Sequence, residues 1–225
     1  MTPRASSGAS PSASALAAAR ASTRFSTSKS RSGLPAPRFS ALLRAFPLQQ
    51  FARLSAEGFH FYRTTFWHPL SRAPGHVFEQ VVEALKPAAA PGPEVVGVEW
   101  WFSVTHTNAT PQWLLPCHFD RADLESQDLS RVKHPRLASV LFLNAVPYGE
   151  LVVTDQVLTE KGARPKQPQD MRFIRPRRNL YALFPGHLYH GVIGRMWRAP
   201  RPPRLRVTMA VNWWTERPGA SYLRD

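Results

Sequence analysis

A single cysteine, Cys117, stands in 225 residues, which excludes a disulfide framework and any cysteine-rich zinc site within one chain. No apolar run reaches the roughly 18 residues that a membrane-spanning helix needs. Acids are scarce as well, 15 against 29 Lys and Arg, and none precedes Glu57. The shortage is segmental. Residues 1–56 carry eight basic residues and no acid, and residues 161–206 carry twelve against Asp170 alone; the remainder is net −5. The overall +14 therefore belongs to two stretches and says little about the central fold. Thirteen Phe, seven Trp and a 43% hydrophobic content argue against disorder and allow one domain with a real core.

The opening stretch MTPRASSGASPSASALAAARASTRFSTSKSRSG is rich in Ser, Ala and Arg and lacks the apolar segment of a secretory signal. That composition is expected of an organelle transit peptide, disordered over residues 1–38 and cleaved between 25 and 40. The destination would be an organelle lumen, the mitochondrial matrix or the chloroplast stroma. A plain basic tail would leave the protein cytoplasmic. Residues 39–225 are then a single domain with its core in 95–214.

Residues 39–70 offer one or two short helices, with Pro47 opening a turn and Gly58 closing one. HVFEQVVEALKP (76–87) predicts a better helix, with Val77, Val81 and Leu85 on one stripe and a stop before Pro87. Beyond the PAAAPGP loop the period changes. Segments 95–106, 112–120, 137–146, 150–158, 171–176, 179–185, 188–196 and 204–214 are short, aromatic or β-branched, and bounded by turn formers. Connections too short for crossover helices predict an antiparallel, mostly β sandwich or jelly roll, cupin-like, behind short N-terminal helices.

Chemistry enters where polar residues face inward. His118 and Asp120 in PCHFDRAD are two apart, so on a strand both point to one face. ALFPGHLYHGVIG offers His187 and His190 as a third ligand. Two histidines and one carboxylate leave coordination positions open, as non-haem Fe(II) oxygenases require. Sixteen residues after His190, the strand RLRVTMAVNWW places Arg206, Thr208 and Ala210 on one face. A guanidinium entering such a strand needs an anion, and its fork suits a carboxylate.

In this order the elements resemble the Fe(II)/2-oxoglutarate-dependent dioxygenases, in particular their prolyl-4-hydroxylase-like branch. The match runs through His118-Phe-Asp120, the segment HPRLASVLFLNAVPYGELVVTD, His190-Gly-Val192 and Arg206-Val-Thr208. The resemblance implies a double-stranded β-helix in which His118, Asp120 and His190 bind Fe(II) and form the catalytic triad. It further implies that Arg206 holds the C5 carboxylate of 2-oxoglutarate, assisted by Thr208, with Tyr181 a further cosubstrate contact. His190 is preferred to His187 because it stands in the family's HxV pattern. The expected partners are 2-oxoglutarate, O₂ and a protein, peptide or small-molecule substrate, with ascorbate as a candidate reductant. Trp100, Trp101, Trp113 and Arg121 would lie near the mouth, and Cys117 in the core. Two features depart from the pattern. YGEL (148–151) replaces the usual paired glycines, and FPGHLYHGV followed by VNWW resembles the JmjC-like branch, whose 2-oxoglutarate-anchoring lysine ELVVTDQVL lacks, so that Arg206 favours the prolyl-4-hydroxylase-like branch. Asn212 stands where the nucleobase-repairing branch has a second arginine, which counts against a nucleic-acid substrate.

Two other functions stay open on sequence. One is a non-catalytic jelly-roll binding module that uses the basic segment 161–178. The other is a cupin-type metalloenzyme of different chemistry, which would not need Arg206.

Overall fold

The computed structural model describes residues 28–30, 33–59, 61, 64–106, 113–122, 128–129, 132–194, 204–219 and 223–224. The transit-peptide expectation for residues 1–27 lies outside them. The chain runs β1 (Ser28–Ser30), α1 (Ala36–Ala45), α2 (Leu48–Ala56), β2 (Thr65–Pro69) and α3 (Val77–Ala89). There follow β3 (Gly97–His106), β4 (Trp113–His118), β5 (Leu137–Phe142), β6 (Leu151–Thr159), β7 (Gly162–Arg164) and β8 (Met171–Ile174). The last are β9 (Tyr181–Pro185), β10 (Leu188–Ile193), β11 (Leu205–Trp214) and β12 (Leu223–Arg224). Each of the eight segments expected as strands forms one.

Two sheets face each other. The larger has the order β1-β9-β5-β11-β3-β2-β12, and the smaller β4-β10-β6-β7 with β8 also paired to β6. From β3 to β6 the chain alternates between them, and β9, β10 and β11 alternate back. The late strands insert between early ones, β11 between β3 and β5 and β10 between β4 and β6, all antiparallel. This winding is a double-stranded β-helix of the jelly-roll kind. It puts β4, β10 and β11, which carry the candidate ligands, around one end of the interior. Among the described residues, no helix is long and apolar enough to cross a membrane.

Strand alternation divides the core in two. Leu141, Tyr181, Leu183, Val207, Met209, Val211 and Trp213 face outward from the large sheet onto the helices. Phe142, Ala182, Phe184, Leu151, Val153 and Leu188 fill the space between the sheets. Phe51 of α2 seals the outer layer, with ring centroids 4.3 Å from Phe46 and 4.9 Å from Phe102. Burying each such side chain contributes about 1.5–3 kcal/mol. The helices thus fix the rear of the sheet whose front builds the site. His68 ties β2 to α3, fully buried with Nδ1 3.3 Å from Glu79 and Nε2 3.1 Å from Glu83.

Three expectations need correction. TTFWHPL falls in a stretch read as helical, yet Thr65–Pro69 is a strand, because Phe66–Pro69 pair with β3 on one side and Thr65 and Phe66 with β12 on the other. The helix expected to stop before Pro87 continues to Ala89. Proline there removes one hydrogen bond from the last turn, while Val81, Val82, Leu85 and Ala89 still bury the helix face. Order also begins before residue 39. Ser28–Ser30 pair with β9, and Leu34, 1% exposed, is clasped by Asn179, which accepts from the Leu34 N–H at 3.0 Å and donates to its carbonyl at 2.8 Å.

Candidate metal centre

β4 ends at His118, and Asp120 follows two residues on. β10 carries His190 opposite His118 in the strand register. Asp120 lies between the two imidazoles, with Oδ1 3.5 Å from His118 Nε2 and Oδ2 3.5 Å from His190 Nε2. One ligand atom from each of the three lies within 4.8 Å of the others, so a single ion can meet all of them. Gly191 permits this approach: a Cβ there would lie 2.9 Å from the Cys117 backbone, and the histidine rings sit 4.5 Å apart, centroid to centroid.

Hydrogen bonds orient each ligand. His118 Nδ1–H donates to the Pro116 carbonyl and His190 Nδ1–H to the Leu188 carbonyl, both at 2.9 Å. With Nδ1 bonded to a carbonyl, Nε2 of each ring is the nitrogen left to face an ion beside Asp120, the orientation that metal ligation requires. Asn212 Nδ2 donates to Asp120 Oδ2 at 3.0 Å, and His134 Nδ1–H donates to the Asp120 carbonyl at 2.6 Å. Burial works against a charged Asp120, but His190, His118 and the Asn212 bond outweigh it and hold the carboxyl well below the usual carboxylate range. For His118, burial is outweighed by Asp120 and the affinity for a proton is raised; for the more enclosed His190, burial prevails and lowers it. Two neutral-tautomer imidazoles and an ionised carboxylate on one face fit a divalent cation with positions to spare.

Arg206 enters the space between the sheets from β11, 2% exposed. Its Nε–H donates to the Gly149 carbonyl at 2.8 Å, Nη1 approaches Thr208 Oγ1 at 3.4 Å, and the guanidinium lies 5.2 Å from the Phe142 ring centroid. Among the described residues no carboxylate comes within ion-pair distance of it. Burial pulls its pKa down to about 10, with the charge of Glu150 partly opposing. Gly149 explains the single glycine of YGEL: its φ is +86°, and a Cβ there would lie 2.7 Å from Arg206 Cδ.

His118, Asp120, His190, Arg206, Thr208 and Asn212 line one small inner chamber of about 50 Å³. His118, Asp120 and Asn212 also wall an outer cleft of about 980 Å³ bounded by Trp101, Val104, Leu114, Leu115 and Arg121. Trp101 and Arg121 are therefore at the mouth, whereas Trp100 packs against Phe66 and Phe78 on the rear of the sheet. Trp113 begins β4. Cys117 is only half-buried and lines the cleft wall, and burial pushes its thiol up to about 11. His187 sits in the turn before β10, away from both spaces. The basic segment 161–178 supplies β7 and β8 at the edge of the small sheet and none of the lining.

The expected cosubstrate contact of Tyr181 needs correction. Tyr181 lies on the rear face of β9, while Ala182 and Phe184 take the inner face. Its hydroxyl donates to Ser139 Oγ at 2.8 Å and accepts from Trp213 Nε1 at 3.3 Å. Tyr181→Phe is expected to lower stability by about 1–2 kcal/mol, the scale of one buried hydrogen bond. Urea unfolding reads that loss, and the dependence on any ligand of the inner chamber should not move.

Three roles escaped sequence reasoning. His134 and Asn212 brace Asp120, though Asn212 stood out on sequence only for the arginine it replaces, and the signal for either was a polar residue in or beside an apolar strand. Glu99 is the third, an acid 5% exposed on β3, paired in register with Asn212. An acid alternating with Trp101, Ser103 and Thr105 was the signal.

No family model matches the chain, and no curated protein matches it. Among solved structures it is similar to a prolyl-4-hydroxylase from Pseudomonas putida, with 18% identity, 88% of this chain and 97% of that chain covered, and a TM-score of 0.45. It is similar also to AviO1 from Streptomyces viridochromogenes (13%, 88% and 94%, 0.48). A third likeness is HygX from Streptomyces hygroscopicus with nickel and 2-oxoglutarate bound (14%, 90% and 87%, 0.45). These likenesses are distant; the fold above rests on its own strand order.

Proposed function

We propose that the chain is an Fe(II)- and 2-oxoglutarate-dependent oxygenase of the prolyl-4-hydroxylase-like kind, acting on a protein, peptide or small-molecule C–H bond. The observation that carries this is the pairing of a three-ligand face with a buried arginine that has no carboxylate partner among the described residues. A structural zinc site would close its ligand shell and have no use for Arg206. A dicarboxylate bound at both elements supplies what Arg206 lacks.

His118, Asp120 and His190 would hold the iron, with Asn212 and His134 keeping the carboxylate in place. With iron bound, O₂ would supply the oxidising equivalents, taking two electrons from 2-oxoglutarate as it becomes succinate and CO₂ and two from the substrate C–H bond. Arg206 and Thr208 would grip the distal carboxylate. The inner chamber is small, so the keto-acid end would extend to the triad, where chamber and cleft share His118 and Asp120. The apolar walls Trp101, Leu114 and Leu115 would exclude bulk water around the acceptor. The Ser/Ala/Arg-rich N-terminus stays a proposed organelle import peptide, with cleavage ahead of Ser28 so that β1 is kept.

The test is anaerobic loading with Fe(II), then air, 2-oxoglutarate and ascorbate, with succinate measured. Succinate formed in proportion to 2-oxoglutarate consumed, and absent without iron, is the expected result. No succinate with any substrate of a broad peptide and metabolite panel would sink the proposal.

A further inference from the structure

The wall of the outer cleft holds polar atoms that the proposed iron and cosubstrate site leaves unused. β3 turns Glu99, Trp101, Ser103 and Thr105 toward the cleft, and β2 adds Thr65 beside them. Glu99 is only 5% exposed, and Trp214 Nε1 donates to its Oε2 at 3.2 Å. No described cation lies within ion-pair distance of the carboxyl. The buried Thr65 hydroxyl stands beside Glu99, whose carboxyl it stabilises, and has no other hydrogen-bond partner. A buried carboxyl without a cation and a buried hydroxyl with no other partner therefore share one wall.

Such groups are costly to bury unless a ligand completes them. Burial, with the charge of Asp120 added, pushes the Glu99 carboxyl up to about 7, partly offset by Thr65 and Trp214. The ligand that recovers most of that cost is a cation with N–H donors for Glu99 Oε1 and Thr65 Oγ1. The neighbouring walls Trp101, Val104, Leu114 and Leu115 are apolar and suit an alkyl stem. Glu99 is one strand spacing, about 5 Å, from Asn212, which itself touches Asp120. A group seated at Glu99 would thus hold its stem in front of the triad.

We propose that Glu99 and Thr65 form a subsite for an organic ammonium group, so that the substrate of this cleft is an alkylamine or a side chain ending in one. The subsite deepens the oxygenase proposal and rests on the triad being the metal site. Arg121 lines the same cleft.

The test uses the full chain loaded with Co(II) and 2-oxoglutarate, with n-butylammonium and N-acetyl-lysine amide as probes. Isosteric n-butanol and the anion butyrate are the controls. Calorimetry reads affinity, and the Co(II) absorption spectrum reads proximity to the metal. Both amines should bind and perturb the Co(II) bands, with the alcohol and the acid roughly 10- to 100-fold weaker, the scale of a charge-assisted hydrogen bond. Glu99→Gln should lose a similar factor for the amines and Thr65→Val several-fold less. Alcohol binding as well as amine in the wild type, no amine binding at all, or amine affinity retained in Glu99→Gln would each overturn the subsite. The wild-type comparison decides even where a variant fails to fold. Wild-type protein that takes up neither Co(II) nor 2-oxoglutarate overturns the metal reading instead, and calorimetry still scores the amine.

Discussion

Asp120→Ala is expected to abolish 2-oxoglutarate turnover, by about three orders of magnitude or more, because each decade is only about 1.36 kcal/mol and the variant forfeits one of three ligands. Asp120 is also the group on which both histidines converge, at 3.5 Å each. Removing it leaves two imidazoles 4.5 Å apart with nothing between them. His118→Ala and His190→Ala should behave alike, each retaining one imidazole and the carboxylate. His187→Ala is the control, since its turn position faces neither chamber nor cleft. Succinate formation and Fe(II) retained after gel filtration measure both effects. Turnover surviving in His190→Ala but lost in His187→Ala would overturn the ligand assignment.

Arg206→Gln is expected to raise the KM for 2-oxoglutarate sharply while iron stays bound. Breaking a buried ion pair costs about 3–5 kcal/mol, and at about 1.4 kcal/mol per tenfold that is roughly two to three and a half decades. The side chain lies outside the ligand set, and its fixed contacts are the Gly149 carbonyl and Thr208. Metal affinity and cosubstrate affinity should therefore separate in this variant. An unchanged KM would leave the buried guanidinium with a purely structural role over Phe142.

The period-two segments were legible because β3 through β11 are half-buried strands whose apolar residues alternate between two cores. The same alternation made Arg206 and Thr208 readable against Val207 and Met209. Alternation does not say which face is which, however, so it offers no check on the resemblance that makes Tyr181 a cosubstrate contact. In LYALF every residue is apolar or aromatic, so the rear face and the inner face look alike. TFWHP hid because five residues after a helical stretch carry too little pattern, and its sheet partner lies some thirty residues later in the chain. Register sets Glu99 opposite Asn212, Asn212 reaches the Asp120 carboxylate, and His134 reaches the Asp120 carbonyl from the segment before β5. The first two join segments far apart in sequence, which no local spacing encodes. The triad was legible as a set because HxD and the later HxV each carry a local signature, and only their convergence required the fold.

The measurement closest to the central claim is an anaerobic calorimetric titration of 2-oxoglutarate into wild-type protein with and without Fe(II). If the triad and Arg206 form one bipartite site, binding is one per chain and tightens markedly when iron is present, since both ends of the dicarboxylate are then held. Equal affinity with and without iron, or no binding to the iron-loaded protein, would contradict that claim.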